Sequence, residues 1–459
     1  MADEMRELQG IDWRRTFAFL EILRSFRLAA NPAKIALCFL GLAASVGVGV
    51  LVDQIPGIGQ TNVRVAGINP IEYRLASLGL DAGSRTSFYD NVHYLLTKAL
   101  WGQWAIPYVD GKTWGDFSAF AAAPVTAAWD AVALATAYWQ QARWFALLTT
   151  VLMLAIWAFI GGAVTRMTAV RIAREESVPL KQALRFSAVR WPSTATCVLI
   201  PFGVLVLVGL VAYVPAGAVL AIPYAGEIVL GLALPLSLAM GLICALVFVG
   251  GMFSIGLQWP TIAAEGADSF DAISRSISYI SSRPWRYIFY TLFATVYGCL
   301  TFIFVKFLTF LTLRITHTGI SLFWSAFTLG KGGPDNKLAR LWDTPTLADP
   351  WRIAGGAEQF YAEAAAQHLF EFWIWIVMGM MAAFLISFFF TSQTVAYFLL
   401  RKIVDATDME EVYLEESEEE ELPLEHKADS PEIVKVSPAA KPADAKPGEA
   451  KPPDAPPKA

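Results

Sequence analysis

The chain has 459 residues, 56% of them hydrophobic, with four cysteines and a formal net charge of −5. The charge is divided, since residues 405–459 hold 16 acids and 6 bases while the remainder holds 24 and 29. A mildly basic, strongly apolar body with an acidic appendage excludes a soluble globular domain and a nucleic-acid binder, and it suits a membrane protein beside an anionic leaflet.

Six stretches have the roughly 20 mostly uncharged residues that crossing about 30 Å of hydrocarbon requires. They are 34–52, 144–164, 194–214, 228–256, 287–313 and 372–400. The predicted fold is therefore all-α, a polytopic transmembrane helical bundle of six spans with interfacial amphipathic helices and a disordered C-terminal tail. Residues 1–33 form a cytoplasmic amphipathic segment. Residues 34–404 form the membrane domain, with extracytoplasmic segments 53–143 and 317–371, and residues 405–459 form the tail.

The segment Met1–Asn31 is charged throughout and lacks the compact n-region of a cleavable signal, so span 1 reads as an uncleaved anchor. Within it, Trp13–Leu28 has helical periodicity, with Arg14, Arg15 and Arg24 near its apolar side. It is expected to lie along the inner surface. Lys and Arg number 6, 6, 3 and 2 in 1–34, 166–190, 258–286 and 401–402, and none in 215–227. The positive-inside rule then places both termini in the cytoplasm.

Counting Phe117–Trp139 as a seventh span would put a basic segment outside, and this stretch contains Pro124 and Asp130. It reads either as an amphipathic helix on the outer surface running into span 2 or as part of a small globular cap. Trp101, Trp104, Trp114, Trp129, Trp139 and Trp144 suit both, because an indole is at home where one end is apolar and the other wet. In the same segment Gly111-Lys112-Thr113 resembles the end of a phosphate loop, but Ile106 stands where that pattern needs glycine, so the fragment reads as a turn.

Two cytoplasmic loops share the pattern Ala-(Leu/Ile)-x-x-Ser at an offset of 89, as Ala183 with Ser187 and Ala272 with Ser276. Either spans 2 and 3 duplicate spans 4 and 5, or the match is chance. Each loop is expected to hold a short interfacial helix, with apolar sides Leu180, Ala183, Leu184 and Phe270, Ile273, Ile277. The second loop and its flanks, Trp259-Pro-Thr-Ile-Ala-Ala-Glu265-Gly through Ala272-Ile-Ser-Arg275-Ser276 to Arg283-Pro-Trp-Arg286, resemble a family motif. It is similar to the membrane domain fused to some bacterial glycerophosphodiester phosphodiesterases and found in related multi-span proteins. The resemblance covers about 30 residues and implies an all-helical membrane module of unassigned role. No phosphodiesterase domain accompanies it here, so no activity carries over.

Ionisable groups inside membranes are functional candidates by default. Lys306 is the strongly basic residue within an apolar run, and its depth places it near the outer boundary, level with Glu227 at the start of span 4. An ion pair between the two is the expectation. Small residues recur every fourth position as Gly41, Ser45, Gly49, as Ala233, Ser237, Gly241, Ala245, and as Gly379, Ala383, Ser387, Thr391. Such stripes permit close helix contact. Pro201, Pro215, Pro223 and Pro235 around the span 3–4 hairpin read either as kinks or as breaks of the kind transporters use.

His93, His317, His368 and His426 are all expected outside the spans, with His317 and His368 close enough to meet as an interfacial pair. Cys38, Cys197, Cys244 and Cys299 lie in different spans, which argues against disulfides and zinc sites. No metal, nucleotide or cofactor signature stands out, and none is expected. In the tail, 408–421 carries nine acids and could continue span 6 as a frayed helix, while Lys427–Ala459 is a Pro, Ala and Lys mixture that cannot bury a core.

The function expected from these readings is that of a bacterial plasma-membrane scaffold, assembly or envelope component, not an enzyme. Its partners would be the lipid bilayer and a basic protein bound to the acidic tail, and the sequence fixes no oligomeric state. The alternative is a transporter or channel for a small solute.

Overall fold

The computed structural model describes residues 18–55, 130–327, 338, 341–346 and 361–413. A 3-10 turn (Ala18–Leu23) and a short helix α1 (Arg24–Ala29) lead into α2 (Pro32–Asp53). There follow α3 (Arg143–Arg174), α4 (Leu180–Leu220), α5 (Ala225–Glu265), α6 (Ser269–Ser282), α7 (Pro284–Phe327) and α8 (Tyr361–Val404). Six of these, α2, α3, α4, α5, α7 and the His368–Val404 part of α8, are long and apolar enough to cross a membrane. Helices are the expected solution, because hydrocarbon offers backbone groups no hydrogen-bond partner outside their own segment. Among the described residues, helices alone build the fold.

Local chemistry sets the ends. Asn31 caps α2 by accepting from the Ala33 N–H at 2.9 Å, with Pro32 in the first turn where no backbone donor is needed. Midway along the chain, α5 stops at Gly266, whose φ of +63° suits glycine and whose N–H closes on the Ile262 carbonyl at 2.9 Å. Arg283, which precedes Pro284, leaves helical geometry and so separates α6 from α7.

The first loop behaves differently from the expectation of a separate short helix. Leu180–Leu220 is one continuous helix that runs through Pro192, Pro201 and Pro215. Just after Pro192 the Thr194 and Thr196 hydroxyls bond the carbonyls of Trp191 and Pro192 within the same helix. Likewise α5 runs unbroken through Pro235 and Pro260, so those prolines sit within continuous helices rather than at breaks.

The core lies around α3 and α8. Leu37 and Cys38 of α2, Ile160, Ala163, Val164 and Met167 of α3, Ala183 of α4, and Ala383 and Phe390 of α8 form one cluster. Two of the small-residue stripes serve it. A Cβ at Gly41 would come within 2.8 Å of Ile160, and one at Gly379 within 2.5 Å of Phe39, while Ser45, Gly49, Ala383, Ser387 and Thr391 are buried. The third stripe is weaker, with Ala233, Ser237 and Gly241 half-buried and Ala245 exposed. Gly241 nonetheless marks the α4–α5 contact, where a Cβ would reach the Tyr213 hydroxyl at 3.0 Å.

Gly161 is the tightest glycine of α3. A Cβ there would meet the Trp259 ring at 2.2 Å, and that ring cannot retreat freely because it stacks on Phe390 and donates to the Thr194 carbonyl at 2.9 Å. Gly161→Ala is expected to lower stability by about 2 kcal/mol through overpacking. Reversible unfolding in SDS would show it, whereas Gly203→Ala, where nothing lies within 4 Å of the new Cβ, should be silent.

The described part of the N-terminal segment packs against α7 and α8. Ile22, Ser25 and Ala29 are buried, Phe19 packs edge-on against Phe289 and Phe293 of α7, and Phe26 packs on Phe304 of α7 and Phe384 of α8. Tyr297 and Ser387 donate to the Leu23 and Ala29 carbonyls at this junction. At the opposite end, residues 130–141 are helical and enter α3 through a break at Ala142, with Tyr138 stacked on Phe145 at 5.3 Å. Trp139 and Trp144 are exposed there. The preceding stretch, 56–129, including Gly111-Lys112-Thr113, lies outside the described residues. So does the tail from 414, which forms a unit distinct from Met1–Tyr413.

Candidate functional site

Charge inside this bundle is concentrated at the end where α5 stops, α6 lies and α8 exits. Glu265, the last residue of α5, is nearly buried. Its carboxylate meets Arg275 of α6 at 2.5 Å and Arg401 of α8 at 3.2 Å, and it accepts from the Tyr397 hydroxyl. Arg275 is held from the other side by both oxygens of Asp271, at 3.0 Å, one helical turn earlier. Those Asp271 bonds, foremost, raise the Arg275 pKa. Tyr279, whose ring lies 5.9 Å from that of Tyr397, donates to Asp405. Burial foremost, then the Asp405 bond, raises the Tyr279 pKa and keeps its hydroxyl a donor.

The chain after α8 closes this cluster. Ala406 adopts a left-handed φ of 55°, which ends the helix, and residues 405–413 fold back over α5 and α6. Arg401 donates to the Glu411 carbonyl at 2.7 Å, and the Tyr413 N–H donates to the Ala264 carbonyl at 2.8 Å. Met409 and Val412 pack on the core cluster that holds Tyr279 and Tyr397. The stretch expected to begin the tail, or to continue span 6 as a frayed helix, is thus a strap up to Tyr413.

The paired loop positions are buried and serve packing. Ala183, Ser187, Ala272 and Ser276 are all fully shielded. The Ser187 hydroxyl donates to the Phe159 carbonyl of α3, and the Ser276 hydroxyl lies 3.3 Å from that of Thr261 of α5. In both loops, then, the serine joins its helix to the long helix before it.

Glu227 and Lys306 are not brought together. Glu227 is exposed in the first turn of α5, whereas Lys306 is 3% exposed within α7, and no ion pair joins them. Matched depth left the angular position around the bundle undetermined: α5 pairs with α4, while α7 packs on α8 and the N-terminal segment. His317 is likewise not in a loop, because α7 extends to Phe327. Its Nε2 donates to the Trp342 carbonyl at 3.3 Å with the rings edge to face, so Trp342, not His368, is its neighbour. Among the described residues no group of three or more His, Cys, Asp or Glu side chains is placed to hold a metal ion.

Two buried cations carried no site reading in the sequence. Arg166, counted there as a loop charge, is fully buried in α3, donates to the Ala263 carbonyl at 2.8 Å and covers the Phe186 ring at 4.4 Å. It joins α3 to α4 and α5. Lys34, taken as the first residue of span 1, is 2% exposed and donates to the Thr168 hydroxyl at 2.7 Å. Compared with known proteins, the chain matches no family model, no curated protein and no solved structure.

Proposed function

We propose that this chain is a non-enzymatic scaffold or assembly component of a bacterial plasma membrane, with its basic end in the cytoplasm, acting through protein and lipid contacts. The observation that supports this reading is the way charge is used. Glu265, Arg275, Arg401 and Asp405 are each turned onto another element of the same protein, across α5, α6, α8 and the strap, while Asp271 holds Arg275 within α6. Such a lock holds the strap in which the acidic stretch 408–421 begins, and nine acids in fourteen residues attract a basic protein surface.

The α4–α5 hairpin adds a second contact surface. The most apolar stretch of α5 buries no residue within the protein, and Leu232, Leu236, Leu242 and Leu246 face outward towards lipid or a neighbouring membrane protein. The continuity of α4 and α5 through their prolines weighs against the transporter reading, since discontinuous helices are what such proteins use to build substrate sites.

Purification of the full-length chain in mild detergent is expected to retain a basic protein that leaves on raising the salt to about 0.5 M, where screening shortens the reach of charge. Solute uptake by proteoliposomes of the chain alone, with no partner retained in the purification, would overturn the proposal.

A further inference from the structure

A cavity of about 190 Å³ opens where the N-terminal segment, the start of α2 and the end of α3 meet. Four cations line it, Arg24, Arg27, Lys34 and Arg171, against one carboxylate, Glu175. That carboxylate is already engaged with Arg24 at 3.0 Å, and Arg24 also meets Glu21 at 3.0 Å. Arg27, Lys34 and Arg171 have no carboxylate partner among the described residues.

Lys34 is the least expected of the three. An ammonium carries three donors, and this one, almost wholly desolvated, meets a single acceptor, the Thr168 hydroxyl, which itself donates to the Val164 carbonyl. Removing a charge from water is costly unless it is paired, so a buried, underused ammonium inside a cavity with two further cations is organised around an anion. The cavity lies one turn into a membrane-crossing helix, and its lining includes apolar Met167 and Val178 beside the cations. That is the level at which lipid phosphates meet acyl chains, and the volume admits a phosphate group. Arg27 is exposed and Arg171 half-buried, so the mouth is reachable while Lys34 forms the floor.

We infer that this cavity is a binding site for a phosphate-bearing anion, with Arg27 and Arg171 at its mouth and Lys34 at its floor, the phosphate being supplied by the headgroup of an anionic phospholipid. The site is separate from the Glu265 lock, and it would stand whether or not a protein partner is found.

The test uses the full chain in detergent, followed by native mass spectrometry and thermal unfolding with phosphatidylglycerol, with phosphatidylcholine, or with inorganic phosphate. Phosphatidylglycerol is expected to be retained and to raise the unfolding midpoint, with binding at least ten-fold weaker in Lys34→Met and in the double variant Arg27→Gln with Arg171→Gln. Should Lys34→Met fail to fold, the double variant, which alters only the mouth, decides. A shift with inorganic phosphate that matches the one with phosphatidylglycerol, and is lost in the same variants, upholds the site and makes free phosphate the source. Equal binding of phosphatidylglycerol and phosphatidylcholine, or a double variant that binds like the parent, would overturn the inference.

Discussion

Glu265→Ala is expected to destabilise the protein by about 3 kcal/mol, the low end for removing one partner of a buried ion pair, because Arg275 is 45% exposed while Arg401 is 12% exposed. The substitution strands Arg401 and leaves the Tyr397 hydroxyl without its acceptor, in a region where both tyrosine rings are packed. Glu265→Gln should lose less, since the amide oxygen can still accept from Tyr397. A double-mutant cycle with Arg401→Met, read by reversible unfolding in SDS, is expected to give a coupling above about 1 kcal/mol. Coupling within about 0.3 kcal/mol would show that the two residues act independently and that the lock is not a structural unit.

The difference between what the sequence disclosed and what it hid follows from the range of the interactions. Span positions were legible, because about 20 apolar residues in a row leave a chain one course in lipid, and all six spans fall inside the long helices. Gly41 and Gly379 were legible as contact points for the same local reason, a spacing of four on one helix. Glu265 and Arg275 both stood in a recognised stretch, yet Arg401, the second cation on Glu265, lies 136 residues beyond it and nothing local joins them. Arg166 and Lys34 were misplaced because loop charges and span ends were counted along the chain. The count cannot tell a charge in solvent from one turned inward beneath α4 or against Thr168. Helix length was underestimated at α7, where polar residues such as Arg314 and His317 were taken as the end of a span. Arg314 in fact reaches the Pro345 carbonyl at 3.1 Å, and His317 reaches Trp342, so the helix continues beyond its apolar run.

A chain stopped after Tyr413 is expected to unfold like the full-length protein, whereas one stopped after Val404 should lose about 3 kcal/mol. The sequence suggests that the tail starts at 405, but the packing places its start at 414, nine residues later. Residues 405–413 contribute the Asp405 acceptor for Tyr279, the Glu411 carbonyl for Arg401 and the Tyr413 N–H for Ala264. Each such bond is worth roughly 1 kcal/mol net, which sets the size of the expected loss, and Met409 and Val412 pack partly buried on the core cluster. The Tyr413 ring also covers Gly266, where a Cβ would come within 2.6 Å of it, so losing the strap uncovers the left-handed cap that ends α5 next to Glu265. A stop after Asp408 removes Glu411, Met409, Val412 and Tyr413 while keeping Asp405, and should fall between the two. Unfolding curves of the three truncations in one detergent decide the matter. Coincidence of the Val404 and Tyr413 curves would mean that the strap rests on the bundle without holding it, and that the fold ends with α8.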